Sequence, residues 1–140
     1  MMFHNLINCW ILILMKNLSI NFYRYLTLSI AWGFFIVYLL IIYSPKLGLP
    51  SSFPFLDKVV HFILFLIQSI LITNTIYEYR NRNNRILLIV SIIFLLLLGV
   101  IIEIQQIYLP YRTFEIMDLI SNFVGVLCGS FFIIYFKNYN

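Results

Sequence analysis

The chain has 140 residues, of which 63% are hydrophobic and 10% are charged, and its mean hydropathy is +0.99. A soluble domain of this length could not hide so much apolar surface, because small domains leave a large share of their area exposed. The net charge of +4 comes from nine basic residues spread over the ends of apolar runs, which argues against a nucleic-acid-binding patch and is typical of membrane topology signals. We therefore predict an all-α integral membrane protein with no nucleic-acid partner. Two isolated cysteines, Cys9 and Cys128, give neither a disulfide framework nor metal-ligand spacing, and we expect both to be small buried residues.

Residues 1–24 are predicted to form an N-terminal segment outside the membrane domain. Its apolar stretch, Leu6 to Leu14, is too short to cross about 30 Å of hydrocarbon at about 1.5 Å per residue. It also lacks the preceding basic residue and the cleavage site of a signal peptide. Met15 is an alternative start.

Residues 25–137 are predicted to form the membrane domain, a bundle of four transmembrane helices. The spans are expected at about 25–43, 59–77, 86–106 and 117–136. A segment rich in Pro, Gly and Ser follows the first span, and a loop with Arg80, Arg82 and Arg85 precedes the third. Six basic residues on one side against three on the other orient both termini toward the cytoplasm.

Polar residues recur at the outer end of three of these spans, three or four positions apart on each helix. The pairs are Asp57 with His61, Glu103 with Gln106, and Asp118 with Asn122. Residues at this spacing share one helix face. Gly99, Gly125 and Gly129 continue two of those faces, and small residues let helices approach closely, so the faces should turn inward. We predict an outward-facing polar pocket between spans two, three and four, with Arg112 in the turn that covers it. Lys58, Glu78 and Glu115 are interpreted as ordinary interfacial charges.

These motifs resemble the VanZ-like family of small bacterial membrane proteins. The residues that carry the resemblance are Asp57-Lys58-Val59-Val60-His61-Phe62, Phe65, Glu103-Ile104-Gln105-Gln106, Pro110, Arg112, Asp118-Leu119, Asn122, Gly125 and Gly129, spread over about Tyr25 to Phe136. The resemblance implies a multi-pass protein of the bacterial cytoplasmic membrane and a link to the cell envelope. The family is named after an accessory factor that gives low-level resistance to the glycopeptide antibiotic teicoplanin.

Three functions fit the predicted pocket, and we favour a binding protein for an anionic lipid-linked ligand. Such a protein would hold a cell-wall precursor or a lipophilic glycopeptide through Arg112, Gln106, Asp118 and Asn122. In a second hypothesis the pocket belongs to an enzyme that acts on a lipid-linked phosphate headgroup. Its general base would be Glu103, or His61 oriented by Asp57, and its anion contact would be Arg112. No sequence signature of a nucleophile or a metal site accompanies these residues, although Asp57, Glu103 and Asp118 could hold a divalent cation between them. The sequence does not identify a cofactor. In a third hypothesis a Glu103–Arg112 ion pair is an interhelical clasp in a structural subunit.

Overall fold

A computed structural model describes residues 19–43, 55–79, 85–109 and 114–139. These residues form four long helices, which are α1 (Ile20–Val37, continued by a π-helix, Tyr38–Tyr43), α2 (Leu56–Tyr79), α3 (Arg85–Gln106) and α4 (Ile116–Tyr139). All four are long and apolar enough to cross a membrane. The all-helical prediction is thus confirmed, and each predicted span lies inside one helical segment. The helices extend past the predicted spans because charged residues near the helix ends, such as Arg24 and Glu78, keep helical geometry.

Helix α2 is the centre of the bundle and packs against the other three helices. Half of its most apolar 18-residue window is buried, against 17% for α1. Phe65 of α2 is fully buried and belongs to a core that also contains Ile36 and Leu40 of the α1 segment, Leu95 of α3 and Val126 of α4. The bundle therefore has one continuous apolar core, and it is organised around α2.

Two glycines allow α4 to lie directly against the backbone of α2. A Cβ atom added at Gly125 would stand 2.5 Å from the carbonyl oxygen of Phe62, and one added at Gly129 would stand 2.5 Å from that of Leu66. Real Cβ atoms do not come so close to a backbone oxygen, so neither position has room for a side chain. This close approach turns the face of α4 that carries both glycines toward α2, as the small-residue spacing predicts.

The polar stripe of α2 also lies inside the bundle. His61, Gln68 and Thr75, spaced seven residues apart, are all buried. The Gln68 side chain donates a hydrogen bond of 3.0 Å from Nε2 to Ser29 Oγ of α1. Such interhelical bonds satisfy polar groups that lipid could not solvate.

One end of the bundle contains both ends of the described chain. Ser19 caps α1, accepting a 3.1 Å hydrogen bond from the Phe22 amide, and donates a 2.8 Å bond to Glu78 Oε2. Lys137 forms a 3.3 Å ion pair with the other oxygen of Glu78. Glu78 is therefore not an isolated interfacial charge, because it joins the start of α1, the end of α2 and the end of α4.

The outer surface of the bundle is covered with large apolar side chains, such as Phe34 and Phe131, which are 73% and 69% exposed. This is the expected surface of a protein whose surroundings are hydrocarbon. Cys128 lies on this surface and is exposed. The prediction that it is buried was wrong, because its position on α4 faces away from the side that packs on α2. Cys9 lies outside the described residues.

Candidate functional site

His61 and Asn122 meet at the end of the bundle opposite Glu78. Both side chains are completely buried, and His61 Nδ1 lies 3.0 Å from Asn122 Oδ1. An amide oxygen can only accept a hydrogen bond, so with this orientation of the Asn122 amide the proton is on Nδ1. The lone pair of the neutral imidazole is then on Nε2. Within the described part of the chain, His61 Nε2 and Asn122 Nδ2 have no hydrogen-bond partner.

Asp57 and Asp118 bring two carboxylates to the same imidazole. One potential ligand atom from each of Asp57, His61 and Asp118 lies within 4.8 Å of the other two. Asp57 and Asp118 stand in the first turns of α2 and α4, where a carboxylate is favoured by the helix dipole. Asp118 is nevertheless 1% exposed, so it is not a solvated capping residue.

Lys58 connects two acidic residues near the start of α4. Its Nζ lies 2.6 Å from Glu115 Oε2 and 3.2 Å from Asp118 Oδ1. The interpretation of Lys58 and Glu115 as ordinary interfacial charges thus missed residues that contact the site. A signal was present in the sequence, because a lysine in the first turn of a helix opposes the helix dipole and needs a nearby acid to compensate.

Glu103 is completely buried, and one of its contacts is with the backbone. Its Oε1 accepts a 3.0 Å hydrogen bond from the amide of Glu115, the residue immediately before α4. The first amides of a helix have no intrahelical acceptor, so this carboxylate compensates the start of α4. Glu103 does not belong to the group formed by Asp57, His61 and Asp118.

Gln106, one turn further along α3, binds the end of the α1 segment. Its Nε2 donates a 3.3 Å hydrogen bond to the carbonyl oxygen of Leu40. Gly99 of α3 instead faces Asn122 of α4, since a Cβ atom there would lie 3.4 Å from Asn122 Cβ.

The predicted site residues therefore fall into two sets. Asp57, His61, Asp118 and Asn122 converge on the interface of α2 and α4, with Lys58 added to them. Glu103 and Gln106 tie the end of α3 to its neighbours. Arg112, the predicted anion contact, lies outside the described residues.

The fold and this polar cluster together define a multi-pass membrane protein with a buried, charge-bearing site at one end of its helical bundle. The chain matches the model of the VanZ/LLP1 family over residues 3–137 and belongs to that family. The match begins upstream of residue 25, where the sequence placed the start of the membrane domain. No match was found among curated proteins or among solved structures.

Proposed function

We propose that the site binds the anionic headgroup of a lipid-linked component of the bacterial cell envelope. This proposal rests on one observation. Side chains from α2 and α4 form a buried polar cluster in which Asn122 Nδ2, a hydrogen-bond donor, has no partner among the described residues. Burying such a group without a partner costs about 1–3 kcal/mol, and an oxyanion is a suitable partner for it.

Lys58 and two helix N-termini support an anionic ligand at this site, against the acids Asp57, Asp118 and Glu115. The Lys58 side chain is 22% exposed while its ammonium contacts Asp118. The N-termini of α2 and α4 both lie at this end, and helix N-termini carry partial positive charge. Arg112 and Gln106 remain proposed further contacts for the same headgroup.

The proposed location is the outer leaflet of the cytoplasmic membrane. The contacts of Glu78 with Ser19 and Lys137 bring both ends of the described chain to one end of the bundle. Among the described residues, the basic side chains at that end are Arg24, Arg85 and Lys137, against Lys58 at the other end. This excess favours a cytoplasmic position for both termini, and the polar cluster would then face outward. A ligand there would be a lipid-linked cell-wall precursor or a lipophilic glycopeptide, and the proposal includes an effect on teicoplanin susceptibility.

Native mass spectrometry of the purified protein in lipid nanodiscs tests the binding. A polyprenyl phosphate should be retained, whereas the corresponding neutral polyprenol should not. Asn122→Ala and Lys58→Met should each weaken retention about tenfold, since each removes a contact worth about 1–2 kcal/mol. Ser121→Ala and Lys137→Met are matched controls, because Ser121 bonds only its own helix in the described structure and Lys137 lies at the other end. Equal retention of phosphate and alcohol would refute the proposal.

His61 supports the enzymatic alternative, in which the same headgroup is hydrolysed. With Nδ1 bonded to Asn122, Nε2 offers a lone pair that could accept a proton from an attacking water. This geometry makes His61 a candidate base, whereas Glu103 contacts the Glu115 amide at the start of α4. Release of inorganic phosphate from a polyprenyl phosphate by the wild type, lost in His61→Gln with retention unchanged, would establish the enzyme. Retention of polyprenyl phosphate without release of inorganic phosphate would support the binding protein instead.

The contact between Glu103 and the start of α4 supports the third alternative, a structural clasp. If the whole cluster were such a clasp, Asn122→Ala would lower stability without changing retention of the phosphate.

A further inference from the structure

We propose that Asp57, His61 and Asp118 form a binding site for a divalent transition-metal ion such as Zn²⁺ or Mn²⁺. The inference extends the proposed function by naming a component of the same site. It can hold even if no lipid-linked headgroup binds there.

The spacing of the three side chains is the first observation. Their candidate ligand atoms lie within 4.8 Å of one another. Ligands at about 2.0–2.2 Å from one ion are about 3–4 Å apart, so small side-chain rotations would bring all three onto a common centre. The two helices that supply the ligands are fixed against each other at Gly125, one turn beyond Asn122.

The environment of His61 is the second and independent observation. His61 Nε2 is completely buried and has no hydrogen-bond partner within the described ranges. Its other nitrogen is held by Asn122 Oδ1 at 3.0 Å. Histidines that bind metals commonly donate their second ring N–H to an oxygen, which fixes the tautomer and the ring orientation. Asn122 would be this positioning residue.

The donor set indicates the class of metal. One imidazole nitrogen and two carboxylate oxygens suit zinc, manganese or ferrous iron better than Mg²⁺ or Ca²⁺, which prefer oxygen ligands alone. Lys58 does not block the site, because it contacts one oxygen of Asp118 and leaves the second oxygen for an ion. An ion bound there would act as a Lewis acid toward a phosphate oxygen of the headgroup.

Metal titration of the purified full-length protein tests the inference without any lipid-linked phosphate. The protein in detergent is treated with a chelator, exchanged into chelator-free buffer and titrated with ZnCl₂ or MnCl₂ alone, using calorimetry for Zn²⁺ and electron paramagnetic resonance for Mn²⁺. We expect saturable binding of one ion per chain. Asp57→Asn and His61→Gln should each weaken it at least tenfold, and Asn122→Ala should weaken it by about ten- to a hundredfold. Glu78→Gln, which removes an acid at the other end of the bundle, should bind like the wild type.

Two binding results would overturn the metal site. One is the absence of saturable binding by wild-type protein, which would mean that Lys58 and other protein groups already compensate the two acids. The other is wild-type affinity in both Asp57→Asn and His61→Gln. Because a variant could also misfold, thermal unfolding is followed in parallel. A folded His61→Gln protein whose melting temperature no longer rises with Zn²⁺ supports the site, and one that still shows the wild-type rise refutes it. Metal binding with no retention of polyprenyl phosphate would refute the proposed function alone.

Discussion

Substitution of Gly125 by alanine gives the sharpest test of how α2 and α4 are held together. The new Cβ atom would lie 2.5 Å from the carbonyl oxygen of Phe62 and 3.1 Å from the amide nitrogen of Leu66. The first distance is about 0.9 Å short of ordinary van der Waals contact. Both contacts are backbone atoms, which cannot rotate away as a side chain can. The two helices must therefore separate, and we expect the substitution to cost about 1–3 kcal/mol of unfolding free energy.

A matched control is available at Gly33 in α1. A Cβ atom there would lie 3.9 Å from the side chain of Gln68, which is ordinary contact. Alanine is a better helix former than glycine by about 1 kcal/mol, so Gly33→Ala should be neutral or slightly stabilising. Gly125→Ala should thus change stability in the opposite direction to Gly33→Ala, although the chemical change is the same.

The assay is reversible unfolding in mixed micelles, followed by circular dichroism during an SDS titration. Gly125→Ala should shift the midpoint to lower SDS, and adding Gly129→Ala should cost less than it does alone, because the helices have already separated. Equal midpoints for Gly125→Ala and Gly33→Ala would refute the proposed close packing. If the costs of the two α4 substitutions were strictly additive, each added Cβ atom would be accommodated by a local shift and not by separation of the helices.

Three further predictions concern hydrogen bonds inside the bundle, and the same unfolding assay measures all of them. Ser69 Oγ lies 2.7 Å from both the Val126 carbonyl oxygen and Ser130 Oγ. Ser69→Ala should therefore lower the unfolding free energy more than Ser130→Ala, by about 0.6 kcal/mol per interhelical bond. The reverse order would contradict this pairing. Glu103→Gln keeps an oxygen for the amide at the start of α4, so it should be more stable than Glu103→Leu by about 1 kcal/mol or more. Equal stability of the two variants would show that the bond contributes nothing. Trp32→Phe removes a 3.0 Å bond from the indole N–H to the α2 backbone and should cost about 0.5–1.5 kcal/mol, while an unchanged midpoint would show that lipid or water replaces it.

Much of the helix arrangement follows from local pattern. Long apolar runs predict the spans, because only a helix satisfies its own backbone in hydrocarbon. The seven-residue spacing of His61, Gln68 and Thr75 puts these side chains on one face of α2, and all three are buried. The spacing of Asp118, Asn122 and Gly125 likewise assigns one packed face to α4, since side chains four apart lie above one another.

Local pattern could not predict which side chains of the polar cluster contact each other. Sequence reasoning offered Asp57, Glu103 and Asp118 as possible ligands of a divalent cation. In the described structure, the close ligand atoms belong to Asp57, His61 and Asp118. Lys58 and Asp118 are 60 positions apart, and no periodicity relates residues on different helices. Their contact depends on how far α4 slides along α2, which the two glycines set through backbone contacts.

The sequence alone predicted four membrane-spanning helices and placed Asp57, His61 and Asp118 near one end of them, because hydrophobic length and helical spacing are properties of each segment by itself. The tertiary structure decided that Asn122 orients His61, that Lys58 joins Asp118, and that Glu103 compensates the start of α4. Those choices arise only when the helices pack, since the depth and rotation of one helix against another decide which buried polar atoms come within bonding distance.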